Sequence, residues 1–231
     1  MIGLPRVHHR ATDSTNERAK QLAMAGAPHG TLVTADEQSA GRGRQGRVWT
    51  AEAGHALLMS LVVRGLGRED ALLPLVAAVA VSEACEQTAG VSCAIKWPND
   101  VWIDGRKVCG ILVEGRPQEG WAVLGIGLNV STPSFPGELA ETATSLELAA
   151  SPAPPRDTVL EVLLAALDRW LAASPADTLA AWRKRDALLG APVAWSGGRG
   201  RGAGITDAGA LRVDTDAGIV ELDAGEVHLK R

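Results

Sequence analysis

The sequence predicts an α+β protein: a β-rich middle with helices around it, followed by a small β-barrel. Three observations predict this. Between Cys93 and Val130 the segments CAIKW, VWID, VCGILVEG and WAVLGIGLNV have strand composition and are separated by ND, DG and a polar turn. Helical segments with recognisable starts and stops lie on both sides of them. From Pro192 onward, about forty residues alternate short apolar stretches with Gly-rich turns, a pattern suited to a small barrel.

The elements follow in order. Ser14 and Glu17 match an S-x-x-E capping box, so a first helix starts at Ser14 or Thr15 and stops at Gly26. Residues 31–38 and 56–63 read as strands, and the Gly- and Arg-rich stretch between them is a loop, too polar for core. Asp70 to Ala89 is helical up to Gly90, with the apolar run Ala71–Ser82 buried despite Pro74. Residues 132–158 are loops with one short helix, and apolar-periodic helices follow near 157–173 and 175–189. Gly190 breaks the pattern, which puts a domain boundary near 187. The tail strands are PVAWSG, GAGITD, ALRVDTD, GIVELD and EVHLK.

Composition narrows the function classes. The 231 residues are 46% hydrophobic and 22% charged, with a mean hydropathy of +0.04, which excludes disorder and collagen-like repeats. Lys and Arg number 23 against 27 Asp and Glu, so 23 − 27 gives a net charge of −4, which argues against bulk nucleic-acid or anionic-membrane binding. Cys85, Cys93 and Cys109 are odd in number and lack CxxC spacing, which reads as reduced thiols in cytosol. No signal-peptide core or membrane-length apolar run is present. There is no tyrosine, which removes tyrosine chemistry.

The strongest local signal is GRGRQGRVW at 41–49. Arg42, Arg44 and Arg47 sit on a loop whose glycines allow close backbone approach, as phosphate or carboxylate binding needs, although alone it would also fit a solvated basic turn. Neither this loop nor GIGLNV at 125–130 has P-loop spacing, and Val130 stands where a dinucleotide fingerprint wants its third glycine. In KWPND, residues 96–100, Lys96 ends a strand and Asn99 and Asp100 form a turn. The following hairpin brings Asp100 beside Lys107, a carboxylate and an ammonium suited to Mg²⁺ and phosphate. His8, His9 and Cys109 lack partners at metal spacing and read as structural. Trp49 and Trp97 lie within motifs and would border a site.

Taken together, DSTN at 13–16, GRGRQGRVW, KWPNDV at 96–101, KVCGILVE at 107–114 and GIGLNV resemble, in order and spacing, the biotin protein ligases, also called biotin–acetyl-CoA-carboxylase ligases. The resemblance covers residues 10–150 closely and the rest in outline. It implies a class II synthetase-like fold, in which a central mixed sheet flanked by helices (1–186) is followed by an SH3-like β domain (187–231). It implies a reaction in two steps. Biotin and ATP, with Mg²⁺, give biotinyl-5'-AMP, and a lysine of a biotin carboxyl carrier domain of acetyl-CoA or a related carboxylase then takes the biotin.

Carried over to this chain, Ser14, Thr15, Asn16 and Gln38 would meet the ureido end of biotin. Gly41, Arg42, Gly43, Arg44, Arg47 and Trp49 would form the ligand loop, with Arg44 holding the adenylate. Lys107 would stand by the carboxylate and α-phosphate, with Lys96 and Asn99 supporting ATP and Asp100 the metal. Gly110, Leu112, Gly125 and Gly127 would line the biotin pocket, and Asn129 would face the nucleotide. The loop would be mobile when empty and ordered over ligand, since three like charges repel until an anion arrives.

The motif begins at residue 13, leaving no room for the N-terminal DNA-binding domain of family members that double as repressors, so neither DNA nor membrane is an expected partner. Phe135 and Leu139 are offered to the adenine without clear registration, and Lys230 or Arg231 would reach towards the nucleotide. Open strand edges suit a homodimer or transient docking of the acceptor domain. The rival within the same fold is lipoate or octanoate ligation, against which the polar set Ser14, Asn16 and Gln38 argues. A rival of another class takes GGRGRGAG, 197–204, as an RNA-binding segment; only two arginines and an acidic pI of 5.8 make a strand-to-strand loop the better reading.

Overall fold

The structure, a computed structural model, describes residues 2–66, 70–223, 225 and 227–229. Its main sheet has seven strands, β1 (Arg6–Thr12), β2 (Leu32–Gln38), β3 (Ala56–Arg64), β4 (Ala94–Lys96), β5 (Asp100–Ile103), β6 (Arg106–Arg116) and β7 (Trp121–Asn129). Their spatial order is β1-β2-β3-β7-β6-β5-β4. Only β1 and β2 run parallel. A parallel neighbour needs a crossover, and α1 (Thr15–Met24) supplies it. The sheet is therefore mixed, as expected.

Strand β1 escaped the sequence reading because RVHHRAT has no alternating apolar face. As an edge strand it buries none of its residues fully. The helix start is as read, with Ser14 at the N-cap, but the capping box is not made: the Ser14 side chain accepts no cap hydrogen bond. Gln38, at the end of β2, instead accepts the Thr15 N–H through Oε1 (2.7 Å).

Each sheet face has its own cover. Ala19 and Ala23 of α1 lie on Val33, Val62 and Val123, small residues that let the helix settle close to the strands. The opposite face carries the larger core, where Leu32, Leu61, Leu124 and Ile126 meet α2 (Leu73–Ala89) and α5 (Arg156–Leu171). Helix α2 packs on the sheet, on α5 and on α6 (Pro175–Arg183), so it is apolar nearly all round. Pro74 sits in its first turn, where the missing N–H costs nothing, and Gly90 ends it in the left-handed conformation (φ 67°). Two short helices, α3 (Leu139–Thr142) and α4 (Leu146–Ala149), occupy the stretch expected to hold one.

Helix α6 stops at Arg183, six residues short of the expected 189. Arg185 is drawn to Glu86 by a bidentate pair (3.0 and 2.6 Å), and residues 185–187 then pair with β4. Ile95 N–H donates to the Arg185 carbonyl (2.6 Å) and Ala187 N–H to the Ile95 carbonyl (3.0 Å). Pairing with a sheet edge outcompetes the last helical turns here.

The second sheet has β8 (Pro192–Trp195), β9 (Gly198–Ile205), β10 (Leu211–Thr215), β11 (Gly218–Leu222) and β12 (His228–Leu229), all antiparallel in the order β11-β10-β9-β8-β12. The reading of 197–204 as a loop is corrected, since β9 runs through it. Its glycines are there for close approach: a Cβ at Gly200 would collide with the Asp214 carbonyl, and one at Gly202 with that of Leu188. Arg201 donates to the Gly190 carbonyl (3.0 Å), so the RNA-segment reading loses one of its two arginines. Trp97 ties the two sheets together through its Nε1–H to the Gly209 carbonyl (2.9 Å).

Gly202→Ala should destabilise the protein by about 1–3 kcal/mol through overpacking against backbone. The midpoint of urea denaturation reads this, and a wild-type midpoint would refute the close-approach account.

Candidate functional site

Between the start of α1, strands β3, β6 and β7, and the 41–49 loop lies a cleft of about 120 Å³. Its floor is built from glycines. A Cβ at Gly125 would run into Asn16 Oδ1, one at Gly127 would lie 2.6 Å from Trp49 Cε2, and one at Gly110 would lie 2.9 Å from Trp49 Cζ3 and 3.1 Å from Lys107 Nζ. Gly110 and Gly127 are register partners across β6 and β7. The missing side chains therefore let Asn16, Trp49 and Lys107 lie flat on the sheet.

The polar end of the cleft is a directed hydrogen-bond chain. Asn16 Oδ1 can only accept, so the Ser60 hydroxyl donates to it (2.6 Å). The Ser60 hydroxyl is shared with Thr15 Oγ1 (2.8 Å). Gln38 Oε1 accepts from both the Thr15 hydroxyl (3.0 Å) and the Thr15 N–H. Glu114 Oε2, also acceptor-only, takes a proton of Asn16 Nδ2 (3.0 Å). Ser14, Thr15 and Asn16 are each no more than 4% exposed, and all three line the cleft with Gln38. One Nδ2 proton and one Oδ1 lone pair of Asn16 remain beyond these bonds, a donor and an acceptor side by side.

The loop is a small hairpin. Arg42 and Val48 form an antiparallel bridge, Gly43 N–H donates to the Arg47 carbonyl (2.8 Å), and Gln45 (φ 55°) and Gly46 (φ 74°) make the left-handed tip. Gly41 is not in the cleft wall; it shapes the neck, where a Cβ would strike the Trp49 carbonyl. The three arginines do not act alike. Arg42 is spread over Glu17 and Glu114, so its charge is already met, which corrects the picture of three like charges awaiting an anion. Arg44 donates to Asn99 Oδ1 (3.1 Å), and Asn99 is held in turn by Nδ2–H to the Ile111 carbonyl (2.8 Å). Burial lowers the Arg44 pKa, Asp100 opposing and Arg47 adding to the shift.

The expected hairpin contact is present: Lys107 Nζ lies 2.7 Å from Asp100 Oδ1. Burial lowers the Lys96 pKa most; Asp100 pulls it back, and Lys107, Arg47 and Arg44 push it further down. Among the described residues, Arg44, Arg47, Lys96 and Lys107 line the cleft with the Asp100 carboxylate. Such a gathering of cations in a half-buried cleft suits an anion.

A wider cavity of about 870 Å³ shares Arg47, Trp49, Lys96, Asp100 and Lys107 with the cleft. It continues past Trp102, Asn129, Phe135 and Leu139. Asn129 therefore lies outside the narrow cleft, anchored by Nδ2–H to the Thr144 carbonyl (3.0 Å). The narrow, polar-ended compartment and the broad one meet at shared cations, so an acid in the first and a polyanion in the second would touch at Lys107. Among the described residues no cluster of three or more His, Cys, Asp or Glu forms a metal cage. Asp100 already has an ammonium on one oxygen, so its donor set fits a Mg²⁺ carried in on phosphates rather than a resident ion.

Leu112 and Gly43 line the cleft as expected, and Trp97 borders it. Sequence reasoning missed Glu17, Ser60, Glu114 and Trp102. Ser60 had a signal, being the lone polar residue in the apolar strand ALLMSLVV. Cys109 is fully buried, and burial pushes its thiol up, which removes it as a nucleophile. Lys230 and Arg231 lie outside the described residues.

Residues 9–131 match the profile of the biotin/lipoate A/B protein ligase family, and residues 199–230 that of the biotin protein ligase C terminal domain. The chain is 37% identical to the biotin–acetyl-CoA-carboxylase ligase of Paracoccus denitrificans, over 94% of this chain and 97% of that one. It is 34% identical to the bifunctional ligase/repressor BirA of Bacillus subtilis, over 99% of this chain and 75% of that protein. The solved biotin protein ligase of Aquifex aeolicus in complex with biotin and ATP superposes with a TM-score of 0.87 at 30% identity, covering 98% of each chain.

Asp100→Asn removes the group that raises the Lys96 pKa, so Lys96 should lose its proton at lower pH. Acetylation of Lys96 followed by mass spectrometry across pH would show its titration displaced downward; an unmoved profile contradicts the account.

Proposed function

The chain belongs to the biotin/lipoate A/B protein ligase family, and from that premise we propose how its two compartments ligate biotin. The protein is an ATP-dependent biotin protein ligase. A biotin carboxylate oxygen attacks the α-phosphorus of ATP, pyrophosphate leaves, and biotinyl-5'-AMP remains. The ε-amine of a carrier-domain lysine then attacks the acyl carbon, and AMP leaves.

The observation that carries this reading is the pair of compartments sharing Lys107 and Asp100. Biotin lies in the glycine-floored cleft with its ureido group at Asn16, Ser14 and Gln38, and the nucleotide fills the wider cavity with Asn129 towards it. A fatty acid would leave the donor and acceptor of Asn16 unpaired, which a buried polar site penalises strongly. That disfavours the lipoate or octanoate alternative.

Lys107 stands where two anions must approach, and its charge stabilises the pentacovalent phosphorus more than the separated reactants. Lys96 and Arg47 add to that field, and Arg44, braced by Asn99, grips the adenylate phosphate through its fork. Asp100 would hold the Mg²⁺ that accompanies ATP phosphates. Catalysis is therefore positioning and charge with no covalent nucleophile from the protein, and the 41–49 loop keeps water from the mixed anhydride.

The 1–186 unit binds both substrates and the 187–231 unit closes the nucleotide side. The acceptor is the biotin carboxyl carrier domain of acetyl-CoA or a related carboxylase. The three buried free thiols suit the reducing cytoplasm. The outer edge of β1 suits a second copy, giving a homodimer.

Pyrophosphate exchange into ATP should require biotin and fail with octanoate or lipoate; exchange with the fatty acids alone would transfer the protein to the rival activity. Lys107→Met should slow this exchange by about 10²-fold, the usual cost of losing a charge aimed at the transition state. Arg44→Ala should let biotinyl-5'-AMP escape, seen as adenylate in the filtrate after rapid gel filtration; wild-type retention would remove Arg44 from that role.

A further inference from the structure

We propose that Glu114, with Glu17, is a positioning residue of the ligase reaction, latching the arginine loop to the biotin end of the cleft and orienting Asn16. The inference rests on the ligase reading for the identity of the ligand that Asn16 meets, but the latch itself stands on geometry alone.

Glu114 lies on β6 and points its two oxygens at different tasks. Oε2 accepts from Asn16 Nδ2 (3.0 Å), while Oε1 accepts from Arg42 Nη2 (2.6 Å) and lies 3.5 Å from Lys20 Nζ. Arg42 Nη1 donates to Glu17, which also pairs with Lys20 (2.6 Å). One guanidinium fork thus spans α1 and β6, and Lys20 keeps the two carboxylates together, two cations against two anions. Planar forks suit this bridging geometry better than an ammonium would.

The chemistry of the carboxylate makes it more than a tether. Being acceptor-only, Glu114 admits only the NH₂ end of Asn16, which leaves Oδ1 for Ser60 and fixes which way the amide faces the cleft. Its acidity agrees with this use. Burial works to raise the Glu114 pKa, but the Asn16 hydrogen bond, Lys20 and Arg42 together hold it below the ordinary carboxylate value. With Glu114 as the shared residue, loop position and Asn16 orientation are one event, and an adenylate under a closed loop is held by a correctly turned amide.

Glu114→Gln disturbs both tasks, because an oxygen turned to Asn16 sets its NH₂ against Arg42 and Lys20, and an oxygen turned to them sets its NH₂ against Asn16 Nδ2. Glu17→Gln, at a half-exposed helical position, weakens the latch without touching Asn16 and serves should Glu114→Gln fail to fold by circular dichroism. On the protein alone, trypsin should cut after Arg44 and Arg47 faster in both variants than in wild type, with cutting elsewhere unchanged. High salt should bring wild type towards the variants. In pyrophosphate exchange, Glu114→Gln should raise KM for biotin and the adenylate release rate by about tenfold, as expected for one lost charge-assisted hydrogen bond, and leave KM for ATP within about twofold. Glu17→Gln should raise release with little change in KM for biotin. Wild-type cutting in both variants, or a biotin KM in Glu114→Gln that stays at the wild-type value, overturns the proposal. Should wild type show no biotin-dependent exchange, the ligase reading fails and the trypsin comparison decides the latch by itself.

Discussion

The site depends on three places where the sheet has no side chains. Gly110, Gly125 and Gly127 leave a bare patch of backbone on β6 and β7, and everything that gives the cleft its chemistry is laid on that patch. Asn16 reaches it from α1, Trp49 from the arginine loop, and Lys107 from within β6 itself. Any side chain at these positions would lift one of them away from the ligand. Glycine is costly in a strand, where it packs nothing and loses the most entropy on folding. Three of them on two adjacent strands are tolerated because β7 lies in the middle of the sheet, with β3 on one side and β6 on the other.

Over that patch the polar groups are arranged in sequence rather than heaped together. At one end, hydroxyls and amides of Thr15, Ser60 and Asn16 are ordered by acceptor-only oxygens of Gln38 and Glu114. At the other, among the described residues, Arg44, Arg47, Lys96 and Lys107 gather near Asp100. A neutral hydrogen-bonding head and an anionic tail would be sorted to opposite ends by this gradient, so the cleft selects the orientation of its ligand before any step of chemistry. The cost is visible in Lys96, whose proton affinity burial and like charge both depress.

Much of this was legible in the sequence, for identifiable reasons. The hairpin contact between Asp100 and Lys107 follows from a turn of known length, and the arginine loop from its composition. The main-sheet strands β2 to β7 carry local apolar patterns. What stayed hidden depends on distant partners. Strand β1 has no apolar pattern because an edge strand needs none. Helix α6 ends early because Arg185 meets Glu86 and the chain then finds β4, neither of which is near in sequence. The glycines of β9 look like a loop until Leu188 and Asp214 are placed against them. The bridge of Arg42 to Glu114 stayed hidden because nothing in its neighbourhood of the chain announces a carboxylate 72 residues away.

The strip formed by residues 185–187 has a wider effect. By taking the outward N–H and C=O of Ile95, it covers the main sheet at β4, whereas among the described residues no strand pairs with the outer side of β1 at the far side. A sheet with two open margins can add copies without end, head to tail, and grow into a fibre. One with a single open margin can add only one further copy, and the union of two identical margins is a closed pair related by a two-fold axis. Seen this way, a connection of three residues between the last helix and the small sheet takes one of the main sheet's two margins out of reach of a neighbouring strand.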